Sequence, residues 1–125
     1  MSGITFDAGV LIGIDRNERR MLAFVTRALA ASIPLTIPAG VVAQVWRNGR
    51  QQARLARFLR ERGVTIEPLD GQRARQAGQL CGMTGTADVI DASVVLCAKR
   101  RGDGLATCDV EDMRRLDPTV SIIDL

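Results

Sequence analysis

Apolar residues in this chain fall into two kinds of run. Short, nearly unbroken ones predict strands: Gly3 to Phe6, Leu35-Thr36-Ile37, Val64-Thr65-Ile66, Leu105-Ala106-Thr107-Cys108 and Val120-Ser121-Ile122-Ile123. Between them apolar positions recur at helical spacing. Met21, Leu22, Val25, Ala28 and Leu29 mark one helix after the first strand, and Val41, Val42, Val45 and Trp46 mark another behind Pro38. Further helices are predicted around Leu55, Phe58 and Leu59, around Ala74, Ala77, Leu80 and Cys81, from Val89 to Ala98, and from Val110 to Leu116. Asn48-Gly49 breaks the chain, and Gly82-Met83-Thr84-Gly85-Thr86 reads as a loop. The strands lack polar alternation and each but the last is followed by helix. That combination predicts an α/β domain whose short-stranded parallel sheet is covered by helices on both faces. No repeat, linker or low-complexity tract divides residues 1–125, a length suited to one domain with a substantial core.

Carboxylates collect where such a sheet gathers ligands. Asp7 follows the first strand, Asp109 follows the fourth with Asp112 three residues on, and Asp88 and Asp91 open the apolar helix. Taken one at a time, a helix cap is the commoner explanation of each, because aspartate is a favoured N-cap and the three-residue spacing suits a capping box. Taken together they carry another implication, since residues just after parallel strands lie on the carboxyl edge. If the strands of Asp7 and Asp109 are neighbours and the Asp91 helix packs beside them, the charges meet. Two carboxylates about 4 Å apart repel by about 4 kcal/mol at an effective dielectric near 20. A cation, or protonation, is then required.

Composition narrows the chemistry. With no histidine among 125 residues, a Ser-His-Asp triad, a Cys-His pair and a His-ligated zinc site are excluded. Cys81, Cys97 and Cys108 are widely spaced and odd in number, so they read as small core residues in a reducing compartment rather than as a disulfide or zinc framework. Oxygen-only ligands select magnesium or manganese, and such an ion can activate water against a phosphodiester. No signal-peptide pattern and no run of 18 uncharged apolar residues occurs, so the expected location is cytoplasmic, with no membrane partner. Of the 17 basic residues all but Lys99 are arginine, a side chain suited to phosphate, although a formal net charge of +3 decides nothing alone.

Three segments resemble the PIN-domain ribonucleases, and within them the toxins of VapBC-type toxin–antitoxin pairs. They are Ile4-Thr5-Phe6-Asp7-Ala8-Gly9, Asp91-Ala92-Ser93-Val94-Val95-Leu96-Cys97-Ala98, and Thr107-Cys108-Asp109 with Asp112, in the family's order and approximate spacing. The resemblance covers nearly the whole chain and implies a three-layer PIN-like fold. It implies Asp7, Asp91 and Asp109 as catalytic, metal-binding acids for Mg2+ or Mn2+, with Asp112 and, less firmly, Asp88 in support. It also implies an RNA substrate, a cognate antitoxin and a homodimer. The sequence departs from the family at Gln44, where a glutamate is usual on the helix after the second strand. An amide supplies no charge and accepts no proton usefully, so a second metal position is weakened more than the first. A hydrogen bond near the site accounts for Gln44 as well as direct ligation does.

Arg47, Arg50, Arg54 and Arg57 would form one helical stripe for RNA phosphates if the break at Asn48-Gly49 is shallow, although a solvated face explains them more simply. Trp46 could stack a base, with core packing or an interface role the plainer expectation. The expected function is therefore a metal-dependent endoribonuclease toxin. The alternative is a catalytically weakened PIN-fold protein that binds RNA or antitoxin without efficient cleavage. A phosphoacceptor receiver domain fits less well, because Asp7 stands alone and Lys99 is not at a late strand end.

Overall fold

The computed structural model describes residues 2–125. Five strands, β1 (Ile4–Phe6), β2 (Leu35–Pro38), β3 (Val64–Glu67), β4 (Gly104–Thr107) and β5 (Ile122–Asp124), form one sheet in the order β3-β2-β1-β4-β5. Every pairing is parallel. The three central strands are buried along their whole length and the two edge strands are not, which is why the central runs show no polar alternation.

Seven helices connect them: α1 (Ala8–Asp15), α2 (Arg19–Ala30), α3 (Ala39–Val45), α4 (Ala53–Leu59), α5 (Gly71–Thr84), α6 (Val89–Arg101) and α7 (Val110–Leu116). They pack as two groups, α1 against α2, α3 and α4, and α5, α6 and α7 against one another. Right-handed crossovers from β1 outward to β3, and then back across to β4 and β5, place these groups on opposite faces. The sheet is thus the middle of three layers. Its order reverses between β1 and β4, and the crevice at their carboxyl ends is where such sheets bind ligands.

The core runs through the sheet. Phe6, Leu35, Ile37 and Leu105 are fully buried, and the Phe6 ring stacks on Phe58 with centroids 6.0 Å apart. The Met21, Leu22, Val25 and Leu29 stripe faces this core, Met21 and Val25 buried and the two leucines packed against it. Glu67, at the end of edge strand β3, is buried and accepts hydrogen bonds from Arg100 Nη2 (2.6 Å) and Arg101 Nε (3.1 Å). The end of α6 is thereby tied to the sheet. No single helix among the described residues is long and apolar enough to cross a membrane.

Several sequence expectations shift. The first crossover holds two helices, not one, because Asn17 adopts a left-handed conformation (φ 60°) and breaks the chain between them. Residues 82–84 belong to α5, which ends instead at Gly85 in the left-handed region, and α6 continues to Arg101 before Gly102 ends it the same way. The arginine stripe does not form. Since α3 stops at Val45 and α4 begins at Ala53, Arg47 and Arg50 lie in a loop while Arg54 and Arg57 lie on α4. Cys81 and Cys97 are buried as expected, whereas Cys108 is exposed.

Candidate active site

Parallel pairing of β1 with β4 sets Asp7 beside Thr107 at the carboxyl edge, and a short chain of hydrogen bonds joins them. Asp7 begins α1: the Ala8 N–H donates to its Oδ1 (2.7 Å), and the Thr107 hydroxyl donates to its Oδ2 (2.9 Å). The same Thr107 Oγ1 accepts the Asp109 N–H at 2.9 Å. One buried hydroxyl therefore orients both the acid after β1 and the backbone that presents the acid after β4. Asp7 is 3% exposed, and Asp109 is exposed with no cap bond from its side chain.

The helix α6 brings the other acids. Asp88 is its N-cap and its Oδ1 accepts the Asp91 N–H at 2.9 Å, so the capping expected from the sequence is present. Asp91 stands in the first turn, partly buried. Asp88, Asp91 and Asp112 line one cleft with Arg115 at its margin, and Asp109, Glu111, Asp112 and Asp124 line the depression next to it. Asp112 belongs to both.

Electrostatics shows that these acids sense one another. Burial raises the Asp91 carboxyl to about 7, with the charges of Asp7, Asp88, Asp112 and Asp109 adding to the rise. Burial also raises Asp7, opposed by the hydrogen bonds from Ala8 and Thr107 and reinforced by Asp109 and Asp88. All five sequence-selected aspartates thus share one field. The Cys108 thiol is likewise held above its ordinary value by desolvation and by Asp109, so it stays protonated.

Convergence stops short of a closed ligand set. Among the described residues no group of three or more acidic or cysteine side chains is arranged to hold a metal ion as it stands. Two of the acids are already oriented by hydrogen bonds, Asp7 toward Thr107 and its own helix, and Asp88 toward the Asp91 amide. The donor chemistry still suits a hard cation. Magnesium is commonly held through one or two carboxylates with waters completing the shell, so an open oxygen-only set fits it, and Asp7, Asp91 and Asp109 are the groups that could hold it.

Gln44 is exposed and makes no side-chain hydrogen bond among the described residues. It lies one turn beyond Gly40, whose Cα approaches Ile90 so closely that an added Cβ would sit 2.5 Å from Ile90 Cδ1. Its helix therefore abuts the start of α6, the helix that carries Asp88 and Asp91. Thr107, Glu111, Asp124 and Arg115 were not singled out in the sequence. Only Thr107 left a signal there, a hydroxyl two residues before Asp109 on the same strand end.

Comparison with solved structures agrees with this architecture. Over 98% of both chains, the protein superposes on a chain of the Rickettsia felis VapBC2 complex bound to a promoter DNA fragment, with a TM-score of 0.73 and 14% identity. The chain has the PIN-like α/β fold. It is likewise similar to a chain of a Klebsiella pneumoniae toxin–antitoxin complex (TM-score 0.70, 17% identity, 97% and 96% covered). A third PIN-like match is in FitAcB of Neisseria gonorrhoeae (TM-score 0.63, 18% identity, 97% and 96% covered). Protein-family models and curated protein sequences give no match.

Proposed function

We propose that this protein is the toxin of a VapBC-type toxin–antitoxin pair and acts as a metal-dependent endoribonuclease. The observation that carries the reading is the placement of Asp7 and Asp109 about Thr107, with Asp88, Asp91 and Asp112 lining the adjoining cleft, at the switch point of a PIN-like sheet. Similarity to chains from toxin–antitoxin complexes supports the antitoxin partner. In this reading the protein pairs with a second copy of itself.

Asp7, Asp91 and Asp109 would hold magnesium or manganese, which when bound supplies positive charge to the phosphodiester and makes water more acidic. The chain's own groups do the rest. Thr107 keeps the Asp7 carboxylate in one orientation, so little ordering remains to be done when substrate arrives. Asp109 is exposed and uses no side-chain oxygen to cap α7, and Asp112 adds charge between the two halves of the cleft. Arg115 lines the same cleft as Asp88, Asp91 and Asp112, and its guanidinium would pair with a backbone phosphate bound there.

A second reading draws on Gln44, which brings no charge, and on the open arrangement of the acids. In it the protein binds RNA or antitoxin with little cleavage. Incubation of an RNA panel with magnesium or manganese, repeated with Asp7→Asn and with EDTA, separates the two. Cleavage lost in both controls supports the nuclease, and cleavage untouched by Asp7→Asn identifies contamination. Retained binding without cleavage in either metal supports the second reading.

A further inference from the structure

The loop between α3 and α4 is built more firmly than a connection needs. Its organiser is Gln52, a polar side chain only 7% exposed. Gln52 Oε1 accepts the N–H groups of Arg47 (2.7 Å) and Asn48 (2.9 Å), while Nε2 donates to Val45 O (2.9 Å) and Asp15 Oδ2 (3.3 Å). One amide thus spends its whole hydrogen-bonding capacity on pinning the loop to the end of α3 and to the end of α1. Asn48 Oδ1 accepts the Arg50 N–H at 3.0 Å, which fixes the turn.

What this loop displays is an indole and guanidinium groups. Trp46 is 37% exposed, and a Cβ added at Gly49 would lie 3.0 Å from its Cζ2, so the glycine lets the backbone lie against the ring edge. Arg47 Nη1 donates to the backbone carbonyls of Ala43 (3.0 Å) and Trp46 (2.7 Å), holding the guanidinium at the end of α3 with its other N–H groups uncommitted. From Arg47 to Arg62 the chain carries six arginines and one acid, Glu61. None of these arginines takes part in a salt bridge among the described residues, whose ion pairs all involve Arg73, Lys99, Arg100 or Arg101.

We propose that this loop is a single-stranded RNA clamp: Trp46 stacks one unpaired base while Arg47, Arg50 and Arg54 hold the adjoining phosphates. The proposal rests on the RNA-cleaving reading and extends it to the substrate's path. A polyanion with planar faces fits better than a protein surface. None of these guanidinium groups is tied up in an ion pair, and the other large exposed apolar side chains (Ile66, Leu69, Met83 and Val89) lie on other elements, leaving Trp46 isolated. Stacking on one ring requires an unpaired base, which selects single strands over duplex. The helix α1, Ala8–Asp15, spans about 12 Å at 1.5 Å per residue and meets the loop at its Asp15 end.

Trp46 is the only tryptophan and there is no tyrosine, so its emission reports on this loop alone. The full-length protein in EDTA is titrated with a short single-stranded oligoribonucleotide and with the same sequence as a duplex. Emission and the anisotropy of labelled RNA are both followed. Saturable quenching by the single strand is expected. Trp46→Leu should weaken Kd by roughly ten-fold or more, with partial recovery in Trp46→Phe, and Arg50→Ala should lower the slope of log Kd against log salt by about one. Far-UV circular dichroism confirms that each variant is folded. Binding with unchanged emission, an unaffected Kd in Trp46→Leu, or emission moved by an acidic partner protein and not by RNA overturns the clamp. The nuclease reading fails separately. If Asp7-dependent cleavage persists undiminished in Trp46→Leu, only the clamp is lost, whereas quenching without any metal-dependent cleavage removes only the nuclease.

Discussion

Replacing Asp91 by asparagine should stabilise the cation-free protein, contrary to the usual result of altering a partly buried helix residue. In the folded chain this carboxyl rises from 3.8 to about 7, through burial first and then through its four acidic neighbours. At about 1.4 kcal/mol per ten-fold change in proton affinity the rise corresponds to about 4 kcal/mol, and solvent screening at this partly exposed position reduces it to about 2. The sign follows from proton binding. The folded state holds the proton more tightly than the unfolded chain, so stability from this group declines as pH climbs from about 4 toward 7 and the full penalty applies above that. Asparagine carries no charge and avoids the penalty, giving back about 0.5 kcal/mol of favourable helix-dipole energy. Asp88 still caps the helix, because it binds the residue 91 backbone N–H.

For a domain of this size about 1 kcal/mol moves Tm by about 4 °C, so Asp91→Asn should melt about 6 °C higher than the parent at pH 8 in EDTA. Below pH 4 the two should melt together. Magnesium or manganese should raise the Tm of the parent and much less that of the variant, since a cation that binds only the folded state stabilises by mass action. Thermal scans at pH 4 and 8, with and without the metals, read all of this. An Asp91→Asn protein that melts no higher than the parent at pH 8, or one shifted equally at both pH values, would refute the idea that these carboxylates repel.

Thr107→Val should cost about 1–3 kcal/mol in urea melts, because Asp7 Oδ2 and the Asp109 N–H both lose a buried partner, and Thr107→Ser should recover most of it. If Asp7 is catalytic, the valine variant should lower kcat with little change in KM, a split that a purely structural role would not give. Glu67→Gln should destabilise by about 1–2 kcal/mol at pH 7. Burial alone would raise the Glu67 carboxyl, but hydrogen bonds from Cys97 and Arg101 and the Arg100 charge hold it below 4.5. The contribution is therefore present above pH 4.5 and should fade as pH falls through the lower folded value, which urea melts at pH 3 and 7 would show. Glycine-to-alanine changes should have opposite signs at two helical sites. At Gly13 the added Cβ would lie 2.7 Å from Met21 Cβ and force α1 from α2, costing about 1–3 kcal/mol. At Gly82, with nothing within 4 Å, it should stabilise by about 0.5–1 kcal/mol.

The fold was legible in the sequence wherever burial imposed a periodicity. Central strands read as apolar runs because both faces are covered, and α6 read as helix because it is buried along most of its length. The missed break between α1 and α2 turns on one residue, Asn17, in a conformation that has no hydrophobic signature. The arginine stripe failed for a related reason. A seven-residue loop separates two helices whose charges happen to keep helical spacing, and Gln52, which holds that loop, looks in the sequence like any exposed glutamine.

At the site, residue type and position relative to strand ends were enough to choose five aspartates and to exclude every histidine-dependent chemistry, since these depend only on local order along the chain. Whether those acids meet was decided by strand order, which sets β1 beside β4 across about a hundred residues. How they sit was decided by side-chain partners: Thr107 turns Asp7 and props the Asp109 backbone. Strand neighbours and hydrogen-bond partners are long-range relations, and no local pattern of polar and apolar residues encodes them.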